Sequence, residues 1–208
     1  MTTRPSRGAP GETAPPHGSR PGMIFWLTGL SGAGKTTLGT GLVARLQAEQ
    51  VRTSLLDGDN LRRGLSRDLG FSEADRRENI RRAGEAALLL AEAGVVAIVA
   101  LISPFREDRR AVADRAGEQG IPFAEIYVNA ALGSCEARDP KQLYRRARAG
   151  ELRDFTGIDS PYEPPTAPDL ELRTDLENVD QSSAKLTQFA LALLERNRHG
   201  STSVSREA

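Results

Sequence analysis

Residues 29–36 read Gly-Leu-Ser-Gly-Ala-Gly-Lys-Thr and match the pattern G-x-x-x-x-G-K-[ST]. No other feature of the 208-residue chain constrains its fold as tightly. Glycines let successive backbone N–H groups turn inward around a phosphate, and the N-terminus of a following helix adds partial positive charge. The context suits that mechanism. Met23-Ile-Phe-Trp-Leu-Thr28 is continuously apolar, as a strand buried on both faces should be. After the loop, Leu38, Leu42 and Leu46 recur at helical spacing. Gly29, Ser31, Gly32, Ala33, Gly34, Lys35, Thr36 and Thr37 are therefore the candidate nucleotide-binding residues. Lys35 is expected to reach the β- and γ-phosphates, and the Thr36 hydroxyl to ligate Mg²⁺.

Short apolar runs continue to alternate with helical patterns, the signature of a parallel sheet covered by helices on both faces. Thr53 to Leu56 reads as a second strand ending on Asp57-Gly-Asp59. Ser72 caps the next helix with Asp75 as its capping-box partner; Ile80, Ala83, Ala87, Leu88 and Ala91 form its inward face, and Gly94 ends it. Val95 to Ile102, the most apolar segment, is expected as a central strand. Ser103 is expected as N-cap and Pro104 as first residue of a helix running toward Gly120. Ile121 to Val128 and Leu170 to Arg173 read as two further strands, and Gln181 to Arg196 as a closing helix. The charged, Gly- and Pro-bearing stretch from Arg138 to Pro168 reads as a short helix followed by a mobile lid, about residues 139–165. The expected class is α/β, a P-loop NTPase-type parallel sheet over residues 23–197. A disordered leader is expected over residues 1–22 and a disordered tail over 198–208.

The length fits one domain with one active site. Formal charge is zero, so nothing global argues for nucleic acid or a membrane surface as partner. Lys35, Lys141 and Lys185 are the lysines, and arginine supplies the remaining positive charge, which suits bidentate binding of phosphate or sulfate. Genome base composition accounts equally well for the arginines outside the motifs. The single cysteine, Cys135, excludes an intramolecular disulfide and fits a reducing compartment. With no run of about 18 apolar residues, the chain reads as soluble and cytoplasmic.

The phosphate loop specifies a nucleotide and leaves the reaction open. A GTPase would carry a guanine-reading N-K-x-D, whereas the segment after the fourth strand is Val128-Asn-Ala-Ala131. A typical ATPase would end its Walker B strand on an acid, whereas Val95 to Ile102 runs into Ser103. Acids follow the second strand instead, where a kinase needs a carboxylate facing an acceptor hydroxyl. Asp59 is the candidate to accept or orient that proton, with Asp57 and Asp59 candidates to position Mg²⁺ through water. A hydrogen-bonded Asp-Gly-Asp turn is the plainer alternative. Next comes a dense set of guanidinium groups, Arg62, Arg63, Arg67, Arg76, Arg77, Arg81 and Arg82, which predicts a multiply anionic acceptor. On the Ser72 helix, Arg76 and Asn79 share one face, while Arg77 and Arg81 share another that reads as solvated.

Taken in order, Gly29 to Thr37, Leu56-Asp-Gly-Asp-Asn-Leu-Arg62, Asp68-Leu-Gly-Phe71, Asp75-Arg76, Glu78-Asn-Ile-Arg-Arg82, Ile102-Ser-Pro-Phe105, Arg138-Asp-Pro-Lys141 and Phe155-Thr-Gly-Ile-Asp-Ser-Pro-Tyr162 closely resemble the adenylylsulfate kinase family over about residues 23–197. The resemblance implies ATP and Mg²⁺ as cofactors and adenosine 5′-phosphosulfate (APS) as the acceptor, phosphorylated on its 3′-hydroxyl to give 3′-phosphoadenosine 5′-phosphosulfate (PAPS). By the same resemblance, Asp57, Asp59, Arg62, Phe71, Arg76, Asn79, Ile102, Ser103, Lys141 and Phe155 are substrate-binding candidates, with adenine stacking on Phe71 or Phe155. It also implies Lys141 as the lid lysine, Arg138 or Arg145 near transferred charge or the ATP adenine, a homodimer, and ATP sulfurylase as a candidate partner.

Lys35, Asp59 and Ser103 are the catalytic candidates. The family residue at the position of Ser103 is often described as a phosphoserine intermediate. No His stands beside Ser103 in the sequence to activate it, which favours direct in-line transfer. Two other readings of the chain are a kinase for another small acceptor, such as a nucleoside monophosphate or sugar acid, and a nucleotide-dependent switch without an acceptor.

Overall fold

The computed structural model describes residues 22–199, so the expected leader, Gly22 aside, and residues 200–208 of the expected tail lie outside the described residues. β1 (Ile24–Thr28) is buried at every position, and its side chains alternate between two cores. Phe25 and Leu27 join Leu38, Leu42 and Leu46 of α1 (Lys35–Ala48) in one core. Ile24 and Trp26 point the other way, into a core completed later in the chain. Each fully buried leucine of α1 contributes about 1.5–3 kcal/mol.

β2 (Thr53–Asp57) runs directly into α2 (Gly58–Arg63), so the Asp-Gly-Asp segment opens a short helix. Asp57 caps it, its Oδ1 accepting the Asp59 N–H at 3.0 Å. α3 (Glu73–Glu92) carries the expected capping box: Ser72 Oγ accepts the Asp75 N–H at 3.2 Å, and Asp75 Oδ2 accepts the Ser72 N–H at 3.3 Å. Its C-terminus closes at Gly94, with φ of 74°, as the Val95 N–H reaches the Leu90 carbonyl at 3.0 Å. That pattern satisfies carbonyls the helix end would otherwise leave open.

β3 (Val96–Ala100) is interior, but the centre of the sheet is β1. α4 (Arg106–Glu118) starts three residues after Ser103, and its N-cap is Phe105, which corrects the expected Ser103 cap and Pro104 start. Ser103 is held at φ of 40°, and its Oγ accepts from Trp26 Nε1 at 3.0 Å. The Arg106 N–H at the helix start is satisfied by Glu163 Oε2 at 2.9 Å, a partner remote in sequence.

β4 (Phe123–Asn129) leads to α5 (Leu132–Arg138), then α6 (Leu143–Arg148), which lies inside the expected lid. β5 (Leu170–Arg173) and α7 (Val179–His199) complete the chain, the helix continuing past its expected end at Arg196. All neighbouring strands pair in parallel, in the order β2-β3-β1-β4-β5. α1 and α7 cover one face, and α3 and α4 the other. Among the described residues, no helix is long and apolar enough to cross a membrane. The carboxyl ends of β1, β2 and β3 open on one crevice, where open α/β sheets place ligands.

Candidate functional site

The loop after β1 turns because two glycines permit it. Gly29 has φ of 151°, and a Cβ there would stand 2.3 Å from the Val128 carbonyl oxygen. At Gly32, with φ of 75°, a Cβ would meet the Cys135 carbonyl oxygen at 3.0 Å. Every carbonyl from residue 29 to 33 is then held by a side chain. Lys35 Nζ donates to Gly29 at 2.8 Å and Leu30 at 2.7 Å. Tyr144 Oη donates to Ser31 at 2.9 Å, Arg138 Nη1 to Gly32 at 3.2 Å, and Thr174 Oγ1 to Ala33 at 2.7 Å. Arg138 also bonds the Thr174 carbonyl, which braces the last two anchors against each other. With these carbonyls held by side chains, the loop N–H groups are left to face a phosphate, apart from that of Ala33, which donates to the Leu30 carbonyl at 3.2 Å.

Lys35 is buried at the base of this loop, and desolvation pulls its ammonium pKa down to about 8. Next to it, Thr36 Oγ1 donates to Asp57 Oδ2 at 2.7 Å. No group of three or more His, Cys, Asp or Glu side chains among the described residues could hold a metal ion by itself. The pair of Thr36 and Asp57 nevertheless fits Mg²⁺, which keeps several waters and takes much of its shell from nucleotide phosphates.

A cavity of about 990 Å³ opens in front of the loop. It is lined by Ser31, Gly32, Ala33, Gly34, Lys35, Thr36, Thr37, Asp57, Asp59, Arg62, Phe71, Arg76, Asn79, Ile102, Ser103, Arg138, Lys141 and Phe155. Gly29, of the nucleotide-binding candidates, does not line it; Gly29 is the hinge beneath. Arg145 does not line the cavity either. On α6, Tyr144 and Ala147 are the buried positions, and Arg146 is the arginine that reaches the cavity wall.

Across from the loop, the Arg62 guanidinium lies 4.4 Å from the centre of the Phe71 ring and donates to the Gly70 carbonyl at 2.6 Å. Phe71 remains 58% exposed with Arg62 over its ring. Arg76 is buried and reaches three ways, to the Phe71 carbonyl at 3.0 Å, Thr156 Oγ1 at 3.0 Å and the Asp154 carbonyl. Burial pulls the Arg62 and Arg76 guanidiniums below the usual arginine range, so both are cations with water partly stripped away. Asn79 is buried beside them, and its Oδ1 has no hydrogen-bond partner. Phe155 is held edge-on to Tyr144, ring centres 5.0 Å apart. Between the two walls, Asp59 is in contact with Lys141.

Arg77 and Arg81 face outward as expected, paired with Glu73 and Asp108 and with Glu78 respectively. The cavity wall also includes Arg146, Arg153, Thr174, Glu177 and Asn178, none of which the motifs singled out. Tyr144, Arg153, Thr174 and Glu177 come from segments whose approach depends on the tertiary fold. Arg153 lies two residues before Phe155, which was the one local hint.

Residues 21–173 match the family described as adenylylsulphate kinase. An adenylyl-sulfate kinase of Escherichia coli O6:K15:H31 is 53% identical over 181 residues, covering 87% of this chain and 86% of the relative. One from Geotalea uraniireducens is 54% identical over 173 residues, covering 83% and 82%. The structure of the Mycobacterium tuberculosis APS kinase CysC in complex with AMPPNP and APS superposes with a TM-score of 0.80 at 44% identity, covering 83% of this chain and 99% of that one. A phosphate loop whose carbonyls are all anchored, facing an arginine- and aromatic-lined wall across one cavity, thus stands on a chain that belongs to the adenylylsulphate kinase family.

Proposed function

We infer that the protein transfers the γ-phosphoryl group of ATP to the 3′-hydroxyl of APS, giving ADP and PAPS, a step of sulfate activation. The observation that carries this reading is the single cavity with a phosphate loop on one wall and Arg62, Phe71, Arg76, Asn79 and Phe155 on the other. Two anionic nucleotides can meet there end to end. ATP occupies the loop side, its phosphates on the N–H groups of residues 31, 32 and 34–36 and on Lys35, with Arg138 and Thr174 at the nucleobase end. APS occupies the other, its adenine against Phe71 or Phe155 and its phosphosulfate near Arg62 and Arg76. The unpartnered Asn79 Oδ1 is free to accept from a substrate N–H or hydroxyl.

Asp59 lies between the walls and takes the 3′-hydroxyl hydrogen bond, orienting the oxygen for in-line attack. Lys141, now on Asp59, is placed to meet charge on the transferred group. Thr36, with Asp57 behind it, would hold Mg²⁺, whose charge would offset that of the nucleotide phosphates. Direct transfer is favoured over a phosphoserine: Ser103 Oγ accepts from the Trp26 indole and lies 3.5 Å from the Leu101 carbonyl, so no base is bonded to it. Residues 139–165 act as the lid, whose closure excludes water and suppresses hydrolysis of ATP. A homodimer, an ATP sulfurylase partner and a cytoplasmic location belong to the same proposal, the last supported by the free thiol of Cys135.

The test is acceptor choice. The protein is mixed with MgATP and APS, AMP or gluconate in parallel, and the products are separated by chromatography. PAPS formed only with APS supports the reading, and product from another acceptor alone overturns it.

A further inference from the structure

Arg109 does not line the cavity, yet its side chain is only 3% exposed and every arm is engaged. Its Nε donates to Glu125, its Nη1 to the Ser103 carbonyl at 2.7 Å, and its Nη2 to the Glu163 carbonyl at 2.9 Å. Its guanidinium carbon lies 5.9 Å from the centre of the Tyr162 ring. The two carbonyls belong to different parts of the site. Ser103 ends the turn after β3 and lines the cavity, and Glu163 is near the point where the lid segment rejoins the body.

The same two segments are tied again on either side of this fork. The Glu163 N–H donates to the Pro104 carbonyl at 2.8 Å, and Glu163 Oε2 accepts the Arg106 N–H. The Tyr162 and Thr28 hydroxyls share a hydrogen bond at 3.0 Å, while Thr28 Oγ1 also donates to the Ile102 carbonyl at 2.8 Å. Ser103 needs such support. A residue with a Cβ is strained in the left-handed region, where Ser103 sits at φ of 40°. A guanidinium is the side chain that can serve two carbonyls and a carboxylate at once, since its donors form a rigid fork.

We propose that Arg109 is a positioning residue for the acceptor, clamping the Ser103 turn to the root of the lid so that the cavity wall and the lid keep one fixed relation. The proposal rests on the reading of this cavity as the APS site. Because Arg109 itself bonds no residue of the phosphate loop, its loss should act on APS more than on nucleotide binding there.

The experiment compares wild type, Arg109→Lys and Tyr162→Phe. Lysine keeps a charge opposite Glu125 and loses the fork; phenylalanine keeps the ring and loses the tie to Thr28. For each, APS KM is measured at saturating MgATP, and ADP affinity by titration. The expected result for Arg109→Lys is an APS KM raised about tenfold with ADP Kd within about twofold of wild type. Tyr162→Phe should move APS KM the same way by about threefold. An unchanged APS KM in folded Arg109→Lys overturns the proposal, whatever happens to kcat, because a purely structural role lowers the active fraction and leaves KM alone. If Arg109→Lys does not fold, Tyr162→Phe decides on the same criterion. A wild-type enzyme that makes no PAPS overturns the functional reading itself, and the clamp with it.

Discussion

The Thr36 hydroxyl donates to Asp57 Oδ2 at 2.7 Å, joining the end of the phosphate loop to the end of β2. Asp57 Oδ1 meanwhile accepts the Asp59 N–H, so one carboxylate serves the Thr36 hydroxyl and caps the helix that carries Asp59. Asp57→Asn keeps an acceptor for the cap and removes the charge. It should raise the Mg²⁺ concentration for half-maximal activity about three- to tenfold, the loss of one charge contact at a buried carboxylate. A Mg²⁺ titration checks this; an unchanged midpoint would leave Asp57 as a helix cap only.

Burial lowers the Lys35 pKa to about 8. The charged form is the one that meets phosphate, and a lowered pKa means this form is present below pH about 8 and lost above it. In the free enzyme, kcat/KM for ATP should therefore fall as pH rises through that value. A profile flat to about pH 9.5 would contradict the assignment. Lys35→Ala should lower turnover by about 10²–10³, and near-normal turnover would remove Lys35 from the mechanism.

Asn79 carries a buried oxygen without a partner. An unsatisfied buried acceptor costs about 1–3 kcal/mol, so its removal should not lower stability, while a substrate contact would be lost. Asn79→Ala is expected to raise APS KM about tenfold with a melting temperature no lower than that of wild type. A variant that melts earlier and keeps its APS KM would make Asn79 a packing residue.

Asp59 is in contact with Lys141 at the cavity wall. Asp59→Asn should reduce kcat more than it weakens ATP binding, because the interaction it removes is made with the acceptor hydroxyl. Steady-state kinetics with a parallel ATP titration separate the cases. Lost ATP affinity with turnover intact would reassign Asp59 to the nucleotide side.

Features set by near neighbours were legible in the sequence. The strand before Gly29, the Leu38, Leu42 and Leu46 stripe, the Ser72 and Asp75 capping box and the Gly94 stop all sit where local chemistry put them. What was not legible depends on residues far apart. Ser103 looks like an N-cap, but its conformation comes with Trp26, 77 positions away, and with the Arg109 fork, while Glu163 takes over the start of α4. Tyr144 and Thr174 hold the phosphate loop from segments that carry no motif for it. On α6, the left-handed Gln142 at the N-cap precedes a helix whose inward positions are Tyr144 and Ala147, and Arg146 rather than Arg145 reaches the cavity. The arginine count near the site was visible from the start. Which guanidiniums line the cavity, as Arg62, Arg76 and Arg138 do, and which lie behind it, as Arg109 does, required the packed structure.

The most direct test of the account follows the γ-phosphoryl group itself. The enzyme is mixed rapidly with ATP labelled in that group and with APS, quenched through the first turnover, and label is measured in PAPS, inorganic phosphate and protein. The account predicts label in PAPS one-for-one with ADP formed, and none retained on the protein at any time. Label passing through the protein before reaching PAPS would contradict direct transfer, and label appearing only as inorganic phosphate would contradict the assignment of APS as the acceptor.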